Sequence, residues 1–129
     1  MDNKVVGIID DDPSFQFILK QTIRLISPTT EVKVFNNGKE ALDYITSVGN
    51  PENLPDVFLV DLNMPVMNGW ELIENISHMP DEVREHFKTY ILTSSIFQSD
   101  VKKAKQYTFI TDYLFKPVDE DIMKEILFN

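Results

Sequence analysis

The sequence predicts an α/β domain in which an open parallel sheet of five strands carries helices on both faces, a doubly wound arrangement. Short apolar runs alternate strictly with helical patterns along the chain, as repeated βα units do. Several of these runs are almost continuously apolar, which is typical of parallel strands covered on both faces. The composition, 43% hydrophobic and 26% charged, is that of a globular chain able to bury one core.

Five segments are predicted as strands. Val5–Ile9, Val57–Val60 and Tyr90–Leu92 are short, nearly continuous apolar runs. Glu31–Phe35 instead alternates apolar and polar residues, which predicts a half-exposed strand at an edge of the sheet. Asp112–Phe115 is the fifth predicted strand.

The helices between these strands are marked by apolar residues at helical spacing and by residues that begin or end helices. The first apolar stripe ends at Ser27-Pro28, the second ends at Gly49-Asn50-Pro51, and the third begins at Asn68-Gly69. The stripes consist, in order, of Phe15, Ile18, Leu19, Ile23 and Ile26; of Ala41, Leu42, Ile45 and Val48; and of Leu72, Ile73, Ile76 and Met79. Further helices are predicted around Ser99–Tyr107 and Asp119–Leu127.

Composition and charge exclude several classes of function. The net charge of −9 disfavours nonspecific binding to nucleic acid or to anionic membranes, so we expect neither partner. No segment approaches the roughly 20 apolar residues of a membrane span. The absence of cysteine leaves no disulfide or thiol chemistry, which suits the cytoplasm, where we expect this protein.

The first predicted strand runs directly into three aspartates, in the stretch IIDDDPSF. Asp12 before Pro13 is explained as a helix N-cap with proline at the first helical position. That explanation leaves Asp10 and Asp11 unexplained. Carboxylates this close to one another repel, so their clustering needs a reason of its own. A solvated acidic loop and a cation site are both open at this point.

Other strands also end in residues that carry chemistry. Asp61 follows the third strand, Thr93 and Ser94 follow the fourth, and Lys116 follows the fifth. Open α/β sheets bind ligands beyond the carboxyl ends of their strands. We therefore expect these residues to gather with the first aspartates at one edge of the sheet, which favours the cation site.

The residue types at this edge indicate phosphoryl chemistry. Clustered carboxylates without histidine or cysteine suit Mg²⁺, which takes carboxylate, water and phosphate oxygens. Asp61 is then a candidate nucleophile that forms an aspartyl phosphate. Lys116 would neutralise the phosphoryl oxygens, and the hydroxyl of Thr93 would donate a hydrogen bond to one of them. No glycine-rich phosphate loop supports nucleotide binding.

The stretches IIDDDP, LVDLNMPVMNG, ILTSS and YLFKP resemble the receiver domain of two-component response regulators, and the resemblance spans essentially the whole chain. It implies the flavodoxin-like strand order 2-1-3-4-5 and a cis Lys116–Pro117 peptide bond. The implied roles are as follows: phosphoacceptor, Asp61; Mg²⁺ ligands, Asp10, Asp11, Asp61 and the backbone carbonyl of Asn63; switch residues, Thr93 and Tyr113; and the lysine typical of the family, Lys116.

The resemblance also implies a function. The chain would accept a phosphoryl group from a sensor histidine kinase or a histidine phosphotransfer protein and signal to a further, unknown protein. It would catalyse its own phosphorylation and dephosphorylation and no other reaction, as a monomer or weak dimer. Signalling would change the surface of the fourth predicted helix, fifth strand and fifth helix. On that surface Lys102, Lys103 and Lys105 form either a solvated face or a partner contact.

Two departures from the family pattern and the domain boundaries complete these expectations. Asn68 stands where receivers often have aspartate, and it still serves as an N-cap. The segment 77–89 is longer than in many receivers and predicts an extra turn or short helix. We expect residues 1–129 to form a single receiver domain without an output domain, unless the chain is a fragment of a longer protein.

Two other classes of function stay open. An aspartyl-phosphate hydrolase also uses an aspartate nucleophile at a strand end, but such enzymes usually carry a second aspartate two residues on, where this chain has Asn63. They also generally carry a cap over the substrate, for which 129 residues leave no room. An interaction module that works without phosphorylation would not need the intact set of Asp10, Asp11, Asp61, Thr93 and Lys116.

Overall fold

The computed structural model describes residues 4–64, 66–94 and 98–128. Its strands are β1 (Val5–Ile9), β2 (Glu31–Phe35), β3 (Val57–Asp61), β4 (Lys88–Thr93) and β5 (Ile110–Phe115). All pair in parallel, in the order β2-β1-β3-β4-β5. The predicted fold class and strand order are confirmed, and the alternating second strand lies at an edge.

Six α-helices and one 3₁₀ turn connect the strands in the described ranges. They are α1 (Pro13–Ile26), α2 (Gly38–Ser47), a 3₁₀ turn (Pro51–Asn53), α3 (Gly69–Ser77), α4 (Asp81–Arg84), α5 (Gln98–Lys105) and α6 (Glu120–Phe128). The four-residue α4 is the extra turn predicted in the segment 77–89. The fourth and fifth predicted helices are therefore α5 and α6. No helix in these ranges is long and apolar enough to cross a membrane.

Several element boundaries differ from the sequence prediction. β4 begins at Lys88 and β5 at Ile110, two residues earlier than predicted, because polar and apolar residues alike contribute backbone groups to the ladder. β3 and β4 include Asp61 and Thr93 as their last residues. The fourth predicted helix ends at Lys105, two residues before its predicted end. The N–H groups of Gln106 and Tyr107 donate to the carbonyl three residues back, as in a 3₁₀ turn.

Local sequence explains where the helices around the sheet edge begin. The side chain of Asp12 accepts the Ser14 N–H at 2.9 Å, and Pro13 opens α1, as predicted. At α3 the Asn68 side chain accepts the Glu71 N–H while the Glu71 carboxylate accepts the Asn68 N–H. This reciprocal capping box fixes the start of α3.

Two apolar clusters sandwich the sheet. One lies under α1 and α6 and includes Leu19, Ile23 and Met123. The other lies under α2 and α3 and includes Phe58 and Leu72. One member of the first predicted stripe is not in this core.

Ile18 belongs to the apolar stripe that the sequence predicts for α1 but is 52% exposed. Leu19 and Ile23 lie one turn apart and take the centre of the buried face, so Ile18 falls at its margin. The sequence prediction is wrong at this residue.

Candidate functional site

Three aspartates lie together at the carboxyl edge of the sheet. β1 and β3 are neighbours with Ile9 opposite Val60, so Asp10 follows β1 beside Asp61 at the end of β3. One carboxylate oxygen from each of Asp10, Asp11 and Asp61 lies within 4.8 Å of the others. Asp10 and Asp61 are buried, whereas Asp11 is exposed at the mouth of the cluster.

Asp10 is held by both its backbone and its side chain. Its N–H donates to the Phe35 carbonyl at 3.0 Å, its carbonyl accepts the side-chain amide of Gln16, and its Oδ1 accepts the Asp12 N–H at 2.9 Å. These bonds tie the end of β1 to β2 and to the start of α1. The position of the Asp10 carboxylate is thus fixed by three elements.

Lys116 supplies positive charge to the cluster from the end of β5. Its Nζ lies 2.8 Å from Oδ2 of Asp10 and 3.4 Å from Oδ1 of Asp61. Its backbone N–H donates to the Thr93 carbonyl at 2.9 Å. The Lys116–Pro117 peptide bond is cis, as predicted.

The electrostatics of this edge bear most strongly on Asp61. Burial raises the pKa of its carboxyl group, and the charge of Asp10 raises that pKa further. The Lys116 ammonium and the Asn63 N–H lower it, but the net pKa is above the ordinary value of 3.8. The ionised form of Asp61 is thus disfavoured in this cluster, and the three carboxylates offer only oxygen atoms as metal ligands. Both properties fit a hard divalent cation.

The loop after β3 packs closely against the site. The Gly69 N–H donates to the Leu62 carbonyl at 3.1 Å, and a Cβ at Gly69 would lie 2.3 Å from the Asp61 carbonyl oxygen. Glycine is therefore required there for the backbone to approach. Asn63 is exposed within this loop and places its N–H at the Asp61 carboxylate. The predicted metal contact of its carbonyl stays a prediction.

The two predicted switch residues lie on one face of the sheet. Thr93 is fully buried at the end of β4, and Tyr113 on β5 pairs with Ile91. Because Ile91 and Thr93 are two residues apart on one strand, their side chains share a face, and Tyr113 projects on it too. Tyr113 is half-buried, with its ring 5.5 Å from that of Phe115.

The structure thus brings Asp10, Asp11, Asp61 and Lys116 together, with Thr93 beside them. One neighbour was missed from the sequence. The Phe15 ring centroid lies 4.2 Å from Nζ of Lys116, whereas the sequence places Phe15 only in the first apolar stripe. Its place in the first turn of a helix that begins at this edge is the one signal that could have indicated the contact.

Comparisons with known proteins agree with this geometry. Residues 6–128 match the family model described as the response regulator receiver domain. A protein-glutamate methylesterase/protein-glutamine glutaminase of Desulfotalea psychrophila is 37% identical over 81 residues, 63% of this chain and 21% of that protein. The chain therefore spans about a fifth of the length of that relative.

Two solved structures of response regulators are similar along almost their whole length. The two-component response regulator of Cytophaga hutchinsonii has a TM-score of 0.83 and 26% identity, covering 97% of this chain and 95% of that one. The receiver protein of Dyadobacter fermentans has a TM-score of 0.81 and 30% identity, covering 95% and 94%. Because the family model matches nearly the full length of this chain, the chain belongs to the response regulator receiver domains, the phosphorylation-activated switches of two-component signalling.

Proposed function

We propose that this chain accepts a phosphoryl group on Asp61 in a Mg²⁺-dependent reaction. The donor is a sensor histidine kinase or a histidine phosphotransfer protein, and the signal leaves through the surface of α5, β5 and α6. The chain catalyses its own phosphorylation and dephosphorylation and no other reaction. The observation that carries the proposal is the buried Asp10–Lys116–Asp61 arrangement beside Asp11.

Asp61 is the carboxylate best suited to attack phosphorus. Both carboxylate oxygens of Asp10 already accept hydrogen bonds at 2.8–2.9 Å, from the Asp12 N–H and from Lys116. The nearest contact of Lys116 with Asp61 is longer, at 3.4 Å. Asp11 is exposed, so water would compete with a phosphodonor for its oxygens.

In the proposed reaction an Asp61 carboxylate oxygen forms a bond to phosphorus while the bond from phosphorus to the donor imidazole nitrogen breaks. The imidazole leaves with the electron pair of that bond and takes up a proton. Lys116 faces the transferred oxygens with positive charge. Mg²⁺, held by Asp10, Asp11, Asp61 and the Asn63 carbonyl, would add the charge neutralisation that phosphoryl transfer requires.

The test is labelling by a small acyl phosphate with Mg²⁺, read by intact mass. We expect the wild type to gain the mass of one phosphoryl group, and we expect EDTA to block this gain. Asp61→Ala should not be labelled, whereas Asp43→Ala, which removes an exposed carboxylate on α2, should be labelled like the wild type.

The outcome separates three classes of protein. A stable or slowly decaying adduct supports the switch. Rapid turnover of many phosphodonors supports a hydrolase, and the absence of any adduct supports an interaction module that needs no phosphorylation. Labelling that survives in Asp61→Ala contradicts the choice of nucleophile.

A further inference from the structure

Among residues 4–64, 66–94 and 98–128, the Lys116 ammonium has two charged neighbours and one aromatic neighbour. The charged ones are the carboxylates of Asp10 and Asp61, at 2.8 and 3.4 Å from Nζ. The third is the Phe15 ring, whose centroid lies 4.2 Å from the same atom. This is well within the roughly 6 Å over which an ammonium and an aromatic face attract each other. The Lys116 side chain is only 20% exposed, so water weakens this attraction little.

Phe15 offers the ammonium a fixed surface. It is the third residue of α1, whose start is anchored by the Asp12 cap, and it is 9% exposed. It belongs to the apolar cluster under α1 and α6, together with Leu19 and Val118. A ring packed this way cannot follow a moving partner, so it restricts where the Lys116 ammonium can lie.

The three neighbours of the Lys116 ammonium have different roles in the proposed reaction. Asp10 and Asp61 would both serve as metal ligands, and Asp61 would also become the phosphoacceptor. Their negative charge is then shared with other groups and no longer holds Lys116 alone. A phenyl ring is not a ligand for Mg²⁺, which takes oxygen atoms, and phosphorylation does not alter it. The contact with Phe15 is therefore the one of these three that the reaction leaves unchanged.

We infer that Phe15 is a positioning residue, whose ring keeps the Lys116 ammonium beside Asp61 while the carboxylates are occupied. The inference rests on the proposed function, because it assigns Phe15 a part in phosphorylation of that same site. It also predicts a property of the protein before any metal or phosphodonor is added, namely that the Lys116 side chain lies against an aromatic ring.

The first measurement is NMR of the metal-free protein. The ring current of Phe15 should move the Lys116 ε-methylene protons upfield of those of lysines that lie over no aromatic ring. Lys33 and Lys103 do not serve as references, because their ammonium groups lie 5.8 and 5.0 Å from the ring centroids of Tyr44 and Trp70. Phe15→Leu keeps an apolar side chain but removes the ring, so the signal should return to the ordinary lysine range. Phe15→Trp keeps an aromatic face and should keep an upfield shift. Phe87→Leu, at a buried phenylalanine of the other cluster, should leave the signal in place.

The second measurement is the rate of labelling by a small acyl phosphate at saturating Mg²⁺. Phe15→Leu should lower the maximal rate about three- to tenfold, the factor for losing a partly shielded cation–π contact. The donor concentration for half-maximal rate should not change, since Phe15 is 9% exposed and offers a donor almost no surface. Phe15→Trp should stay within about twofold of the wild type, and Phe87→Leu should be labelled at the wild-type rate.

The outcomes distinguish this inference from the function on which it rests. If the wild type accepts no phosphoryl group, the proposed function fails and the role of Phe15 fails with it. If the wild type is labelled and Phe15→Leu is labelled equally fast, or keeps the upfield signal, only the positioning role is overturned. An equal slowing by Phe87→Leu would also overturn it, because loss of core packing would then explain the rate.

Discussion

The Asp61 carboxyl group is where burial and charge act most directly on a single side chain. Its pKa is raised, first by burial and then by Asp10. A group whose pKa is raised on folding contributes stability below its unfolded pKa, and this contribution is lost as pH rises through the folded pKa. At neutral pH Asp61 therefore lowers the free energy of unfolding of the metal-free protein.

Asp61→Asn removes this cost, so we expect a higher free energy of unfolding than in the wild type at pH 7 in EDTA. The gain should shrink as pH falls through the folded pKa of Asp61 and should be gone below about 4, where the wild-type carboxyl is protonated in both states. Denaturant unfolding at several pH values measures the difference. Asp43→Asn, at an exposed carboxylate paired with Lys39, is the matched control and should show no such gain. An Asp61→Asn protein less stable than the wild type at pH 7 would contradict the sign.

Among the helices, α3 and α5 are joined by a cluster of side chains that we call the α3–α5 clasp: Trp70, Glu74, Asp100, Lys103 and Tyr107. The Trp70 indole N–H donates to Asp100 at 3.3 Å, and the Lys103 ammonium lies 5.0 Å from the Trp70 ring centroid. Tyr107, just after α5, stacks near the Trp70 ring with centroids 6.3 Å apart and donates its hydroxyl to Glu74 at 2.7 Å. Because Trp70 is the single tryptophan of the chain, its fluorescence reports on the clasp.

Protonation of Glu74 at low pH and ionisation of Tyr107 at high pH should each open this clasp. The bond from Tyr107 and the contact with His78 lower the Glu74 pKa below 4.5, so the carboxylate's contribution is present above 4.5 and lost as pH falls through the folded pKa. The same bond raises the Tyr107 pKa above 10.0, so its contribution is present below 10.0 and lost as pH rises through the folded pKa. Trp70 emission should thus hold steady between these limits.

Tyr107→Phe should shift Trp70 emission to the red at neutral pH and remove the acid-side step. Tyr44→Phe, which removes a hydroxyl on α2 outside the clasp, should keep the wild-type emission and both steps. If Tyr107→Phe has the same emission and pH profile as the wild type, the hydroxyl bond does not hold the clasp.

The elements show which parts of the structure local sequence could predict. Strand ends converge because parallel strands share a carboxyl edge, so the proximity of Asp10, Asp61 and Lys116 followed from the order of elements. The exposure of Ile18 depends on how α1 packs against its neighbours, and the spacing of apolar residues along α1 does not determine that packing. The sequence predicts that Lys103 is either solvated or in contact with a partner, and carries no sign that it lies over a ring on another helix. Such long-range pairs are decided by tertiary packing.

In the domain as a whole, the proposed site and the proposed output surface are connected through β4 and β5. A phosphoryl group on Asp61 adds close to two negative charges and three strong acceptor oxygens at the end of β3. Thr93, buried at the end of the neighbouring strand, carries a hydroxyl that can donate to it. Tyr113 shares the face of the sheet on which Thr93 lies, so it can turn into space that the threonine vacates. States that differ by a few kcal/mol suffice for such a population shift.

Thr93→Ala should therefore still accept a phosphoryl group on Asp61 but fail to transmit it. In the wild type, phosphorylation should change amide chemical shifts in the loops at the site and also across residues 98–115, which contain α5 and β5. In Thr93→Ala the changes should stay near Asp61. Thr89→Val is the matched control, because it removes a buried hydroxyl on the same strand and face that has no hydrogen-bond partner in the described structure. It should transmit like the wild type. Wild-type shift changes that never reach residues 98–115 would rule out this relay, whatever the variants show.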